Sequence, residues 1–266
     1  MSKIGLIAGR GEIPLLVKRE LEAAGREHMV IALADGVAEF LRPYCGVLPV
    51  FSPLQVGKVI KTLKKAGVTD VVFAGKVDKD VLLGRLRVDA TLFKLIFKVR
   101  DFRDDTVMGA IREEFEANGI NIMKQTEVLS RFLAPKGQIS SRQPDKEEQA
   151  DIEFGFAIAK KIGELDIGQT IIVRKRAVMA VEALEGTDAA IERGCKLAKS
   201  KAVVIKIKRP FQDDRFDIPT VGVDTLKQIA DNKGTVLAVE AGSTFIVDYD
   251  GCKEFADSSG ISFLGI

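Results

Sequence analysis

Short apolar runs and amphipathic stretches of helical period take turns along the first half of the chain. Runs at 3–8, 29–33, 47–51 and 70–74 read as strands, and the apolar spacing across 12–24 and 54–66 predicts helices between them. That order is the mark of a doubly wound parallel sheet. Between 81 and 97, Leu82, Leu83, Leu86, Leu92, Phe93, Leu95, Ile96 and Phe97 suggest helices. A further helix is predicted over 104–118, where Asp104 can cap and Gly119 can stop it, before a strand at 120–123.

The periodicity fades between Ala134 and Asp145, a stretch holding Pro135, Gly137, Pro144 and several polar residues. The expected division is an N-terminal Rossmann-like domain at 1–133, a linker at 134–145 and a C-terminal domain at 146–266. In the last of these, helices are predicted over 146–162, 188–199 and 224–231, with strands at 170–173, 177–181, 202–207, 235–239 and 244–247. The fold class is therefore α/β: a Rossmann-like parallel-sheet domain followed by a smaller mixed α/β domain.

Charge and cysteine usage narrow the field. The 266 residues carry 40 basic and 38 acidic side chains, so bulk charge marks no nucleic-acid surface and no nucleic acid is expected as partner. Cys45, Cys195 and Cys252 are scattered without a C-x-x-C spacing, which argues against a disulfide framework or zinc cluster and for a reducing cytoplasm. No signal-peptide core follows Met1, and no apolar run reaches the roughly 18 residues of a membrane span. His28 is the one histidine and sits where a strand edge is expected, so acid–base and metal duties fall to carboxylates.

Four segments carry candidate chemistry. Between Arg209-Pro210 and Ile218-Pro219 lie Asp213, Asp214, Arg215 and Asp217, a mixture suited to phosphate esters, since Mg²⁺ takes carboxylate oxygens while phosphate takes guanidinium and N–H donors. Asp217 is bracketed by Phe216 and Ile218-Pro219, which could hold its carboxylate in one direction; a surface ion pair to Arg215 or Arg209 is the bland alternative. Glu185-Gly186-Thr187-Asp188 carries a strand into a helix, with oxygens for a metal and N–H groups for a phosphate, or with ordinary N-capping by Thr187. Gly9-Arg10-Gly11-Glu12-Ile13-Pro14 follows the first strand and reads as a nucleotide-site turn or a plain tight turn. Lys76 ends a strand at the edge where open sheets collect ligands, and Lys206 precedes the polar bend.

These segments resemble those of the LpxI-type UDP-2,3-diacylglucosamine pyrophosphatases of lipid A biosynthesis. The likeness runs from Gly5-Leu6-Ile7-Ala8-Gly9-Arg10-Gly11-Glu12-Ile13-Pro14 through Asp166-Ile167-Gly168-Gln169 and Ala180-Val181-Glu182-Ala183-Leu184-Glu185-Gly186-Thr187-Asp188 to Arg215-Phe216-Asp217-Ile218-Pro219-Thr220-Val221-Gly222. The resemblance implies a two-domain enzyme with its chamber between the domains, cleaving the lipidated UDP-sugar with Mg²⁺ to UMP and 2,3-diacylglucosamine 1-phosphate. It implies a catalytic aspartate in the Asp-hydrophobic-Pro motif, which falls on Asp217. Where that family tends to have Gly-Asp-Asp before a helix, this chain reads Arg103-Asp104-Asp105.

From chemistry and position, Asp188 joins Asp217 as catalytic, and both, with Glu185, are the expected ligands of Mg²⁺, or of Mn²⁺ in its place. Gly9, Arg10, Gly11, Lys76, Gly186, Thr187, Lys206, Arg209 and Arg215 are the expected substrate contacts. The lipidated substrate implies peripheral contact with the inner membrane, and exposed apolar surface would permit a homodimer, though no motif compels one. Two other readings stand beside this one: an NAD-dependent oxidoreductase using Gly9, Gly11 and Asp35, and a non-catalytic UDP-sugar-binding regulator.

Overall fold

The computed structural model describes residues 2–77, 89–98 and 104–266. The chain divides into two compact units, one of Met1–Ser130 with Asp213–Asp217, the other of Arg131–Gln212 with Ile218–Ile266. Leu82, Leu83 and Leu86 of the expected helical stretch, and Arg103 of the Arg103-Asp104-Asp105 sequence, lie outside the described residues.

In the first unit, β1 (Lys3–Ala8), β2 (His28–Ala32), β3 (Val68–Ala74) and β4 (Asn121–Ile122) form a parallel sheet in the order β2-β1-β3-β4. Its helices are α1 (Ile13–Ala23), α2 (Asp35–Cys45), α3 (Val56–Lys65), α4 (Ala90–Lys98), α5 (Asp104–Ala117) and the short α6 (Gln125–Val128). Helix α3 shows why the pattern works: Val56, Val59, Ile60 and Leu63 recur at helical spacing, and all four are buried against Ile7, Ile31 and Val71 of the sheet. The run at 47–51 does not form the expected strand. Val50 makes a single parallel bridge to Ala32, since Pro49 has no N–H to donate and Pro53 soon follows.

The second unit is built on six strands, β5 (Gly137–Gln138), β6 (Thr170–Arg174), β7 (Ala177–Val181), β8 (Ala202–Lys206), β10 (Gly234–Val239) and β12 (Ser262–Gly265), in the order β5-β12-β10-β8-β6-β7. The short pair β9 (Thr220–Val221) and β11 (Phe245–Ile246) lies outside that sheet. The β8-β10-β12 part is parallel, whereas β5 on one side and β6 and β7 on the other run antiparallel to their neighbours. Period-two alternation separates its faces. Ile171, Val173, Val203 and Ile205 meet Ile152 and Ala159 of α7 (Lys146–Glu164). Ile172, Val204 and Leu237 point the other way, into a core with α8 (Thr187–Ala198), α9 (Val223–Asp231) and α10 (Tyr249–Ser259).

Helix α7 opens with a reciprocal capping box in which the Asp145 side chain accepts from Glu148 N–H and Glu148 Oε2 accepts from Asp145 N–H. Glu148 is fully buried, yet Arg142 grips both its oxygens at 2.8 Å. The stretch 134–145 thus belongs to the second unit, where β5 pairs with β12 and Ile139 is buried. No described helix is long and apolar enough to cross a membrane.

Candidate functional site

At the carboxyl ends of β1 and β3, the glycine turn and Lys76 are joined backbone to backbone. Arg10 N–H donates to Lys76 O at 2.8 Å, Lys76 N–H donates to Arg10 O at 2.9 Å, and Gly9 N–H donates to Ala74 O at 2.7 Å. A Cβ on Gly9 would stand 2.5 Å from Lys76 O, so glycine is required there for strand-end packing. The N–H groups of Gly9 and Arg10 are therefore committed to protein. The exposed Gly11, at φ +99°, and the start of α1 are what this turn offers a ligand, beside the exposed side chains of Arg10 and Lys76. Asp35, the ribose acid of the nicotinamide reading, opens α2 as its first residue.

The acidic bend is assigned to the first unit over Asp213–Asp217, although it lies within the stretch 146–266. Phe216 explains the assignment. Its ring packs edge-on to Phe73 of β3 at 5.3 Å, Phe73 meets Phe115 of α5 at 5.4 Å, and all three join the core around Val71. Asp214 O also accepts from Gln125 N–H at 2.8 Å.

Within the bend, the Asp213 carbonyl accepts from Phe216 and Asp217 N–H, and its carboxylate accepts from Arg215 N–H and pairs with the Arg215 guanidinium at 3.2 Å. Asp217 follows directly on the anchored ring and is exposed. In the second unit Arg209 pairs with Asp166 at 2.6 Å. Both arginines thus have acidic partners other than Asp217.

The end of the second sheet brings together residues far apart in sequence. Thr170 of β6 lies in register with Lys206 of β8, and its carbonyl accepts from the N–H of Glu182, which follows β7. The three fall on the parity of Ile172, Val204 and Ala180 and so face α8. Gly186, at φ +84°, turns the chain into α8 without a side-chain cap, so Thr187 is the first helical residue and does not serve as the N-cap. Its hydroxyl donates to Glu182 Oε1 at 2.8 Å and accepts from Lys206 Nζ at 3.1 Å.

Glu182 and Lys206 are buried, at 7% and 6% exposure. Glu182 Oε2 and Thr170 Oγ1 are buried with no hydrogen-bond partner among the described residues. Glu182 is not among the residues expected from the sequence to serve the site. The available signal was an acid at the end of an alternating strand, on the same parity as buried Ala180.

Of the three expected metal ligands, Glu185 does not fit that task. Its Oε1 pairs with Arg193 at 2.6 Å and its Oε2 accepts from Ala183 N–H at 3.1 Å. Its own backbone N–H first, then Arg193, hold the carboxyl below the usual glutamate range. Asp188, in the first turn of α8, and Asp217 are both exposed. Among the described residues no group of three or more His, Cys, Asp or Glu is placed to hold a metal ion. One or two carboxylates completed by substrate phosphate oxygens are nevertheless an ordinary Mg²⁺ donor set, which Asp217 and Asp188 each suit.

A biotin carboxylase–β,γ-ATP complex from Campylobacter jejuni aligns over 74% of this chain and 42% of that one, at 14% identity and a TM-score of 0.29, which carries no argument. The UDP-2,3-diacylglucosamine pyrophosphatase LpxI of Caulobacter vibrioides is 34% identical over 277 residues, covering 100% of this chain and 98% of that protein. Residues 3–132 match the model of the LpxI N-terminal domain and residues 135–264 that of the LpxI C-terminal domain. With both domain models matched in order over nearly its whole length, the chain belongs to the LpxI family.

Proposed function

We propose that the protein hydrolyses the pyrophosphate of UDP-2,3-diacylglucosamine, releasing UMP and 2,3-diacylglucosamine 1-phosphate, with Mg²⁺ as the metal. The observation that carries this reading is the 34% identity to the Caulobacter enzyme along the whole chain. The residues beneath that likeness suit the chemistry. Asp217 is exposed and follows directly on a half-buried aromatic anchor, a placement that fixes where its carboxylate begins. In this role Asp217 orients the attacking water or holds the divalent cation, and Asp188 is the corresponding exposed carboxylate of the second unit.

Bound Mg²⁺ would neutralise charge on the phosphoryl oxygens. Lys206 and the backbone N–H of Thr187, at the positive end of α8, and Arg10, Lys76, Arg209 and Arg215 are the proposed phosphate contacts. A substrate with two acyl chains resides in a membrane, so peripheral contact with the inner membrane goes with this reading.

Incubating the pure protein with UDP-2,3-diacylglucosamine and Mg²⁺ should release UMP, read by chromatography, and chelation should stop the release. A folded protein that leaves the substrate intact would exclude the activity. Binding without cleavage would favour a regulator instead.

A further inference from the structure

The function proposed above gives Glu182 no task. Its environment calls for one. Leaving a buried carboxylate oxygen without a partner costs stability, and a purely structural acceptor for the Thr187 hydroxyl needs no charge and no second oxygen. The hydrogen bonds form a series in which Lys206 Nζ donates to Thr187 Oγ1 and Thr187 Oγ1 donates to Glu182 Oε1. With its hydroxyl proton directed to Glu182, Thr187 turns a lone pair toward the ammonium. A lysine head on four rotatable bonds has large rotamer entropy, and seating it beforehand removes part of what an anion would otherwise lose in ordering it.

We propose that Glu182 is a positioning residue, fixing the Lys206 ammonium through Thr187 at the start of α8 so that it meets a phosphate oxygen of the substrate. This rests on the pyrophosphatase reading and adds a residue to it. Three strands supply the frame, since Glu182, Thr170 and Lys206 are neighbours across the sheet and Thr187 alone comes from the helix. Gly168 lets the preceding turn lie against this row, because a Cβ there would fall 1.9 Å from the Glu182 carbonyl oxygen.

The test compares Glu182→Met, which removes both oxygens, with Thr187→Val, which removes the hydroxyl at nearly constant shape. Each should lower kcat/KM about 10²-fold, mainly through KM, as misplacement of a binding group does. The double variant should lose no more than Glu182→Met alone, because the two residues act in series. Thr187→Ser and Glu182→Gln restore a hydroxyl and an acceptor and should recover most of the loss.

Additive losses in the double variant would overturn the proposal, as would wild-type kinetics in Thr187→Val, or a Thr187→Ser as impaired as Thr187→Val. If Glu182→Met does not fold, the valine and serine variants at 187 decide alone. A wild-type protein without activity on UDP-2,3-diacylglucosamine removes both readings. An active one with an unaltered Thr187→Val removes only this one.

Discussion

Asp217 is exposed and sits one residue after the ring that anchors its bend, so its carboxylate can be altered with little disturbance of packing. Asp217→Asn keeps the volume and removes the charge. Turnover of the lipidated UDP-sugar should fall at least about 10²-fold, as when a group stabilising the transition state is removed. The melting temperature should stay near that of the wild type; a variant with normal turnover would clear Asp217 of any role. Glu182 is the opposite case, a buried acid whose meaning depends on Thr170, Thr187 and Lys206. For that reason Asp217 was legible in the sequence as part of a local polar bend, whereas Glu182 was not. Strand register and helix entry, which bring its partners together, cannot be read from spacing along one segment.

At the scale of elements, the bend over Asp213–Asp217 is tied to the first unit by one half-buried aromatic ring and a backbone hydrogen bond to Gln125. Phe216→Ala should lower stability by about 2 kcal/mol, below the usual range for a fully buried phenylalanine. It should also weaken turnover by loosening Asp217. Urea unfolding and steady-state kinetics measure the two effects; an unchanged unfolding midpoint would show that the ring contributes little.

The alternation of Ile171, Ile172 and Val173 across the two faces of β6 was readable because each residue contributes to a core on its own side. Helix α10 and strand β12 were missed for a physical reason. The buried positions of α10 are Cys252 and Ala256, small residues that leave only a faint apolar stripe, and β12 is a short strand ending in Gly265. The run at 47–51 has the apolar content of a strand, but Pro49 and Pro53 prevent a ladder there.

For the molecule as a whole, two buried thiols couple folding to alkaline pH. Burial pushes Cys195 up to about 11 and Cys252 up to about 12, with the Asp248 charge adding to the second. Below the ordinary thiol value of 9.0 both the folded and the unfolded chain keep these protons. Above it the unfolded chain releases them first, the folded chain binds more protons, and stability falls as pH rises toward the folded values. The urea midpoint should therefore be lower at about pH 10 than at about pH 8, and a Cys195→Ala, Cys252→Ala double variant should show a shallower fall over that interval. An equal slope in both proteins would mean that the thiols do not govern it.

The interrupted membership of the first unit also constrains how such a protein can be recombined. Because Asp213–Asp217 is woven into a core otherwise made by residues up to Ser130, a chimaera that exchanges the amino-terminal half for a relative's must transplant this five-residue graft with it. A splice near Ser130 alone would give the borrowed half a foreign plug and seat the native aspartate on a support it did not evolve with.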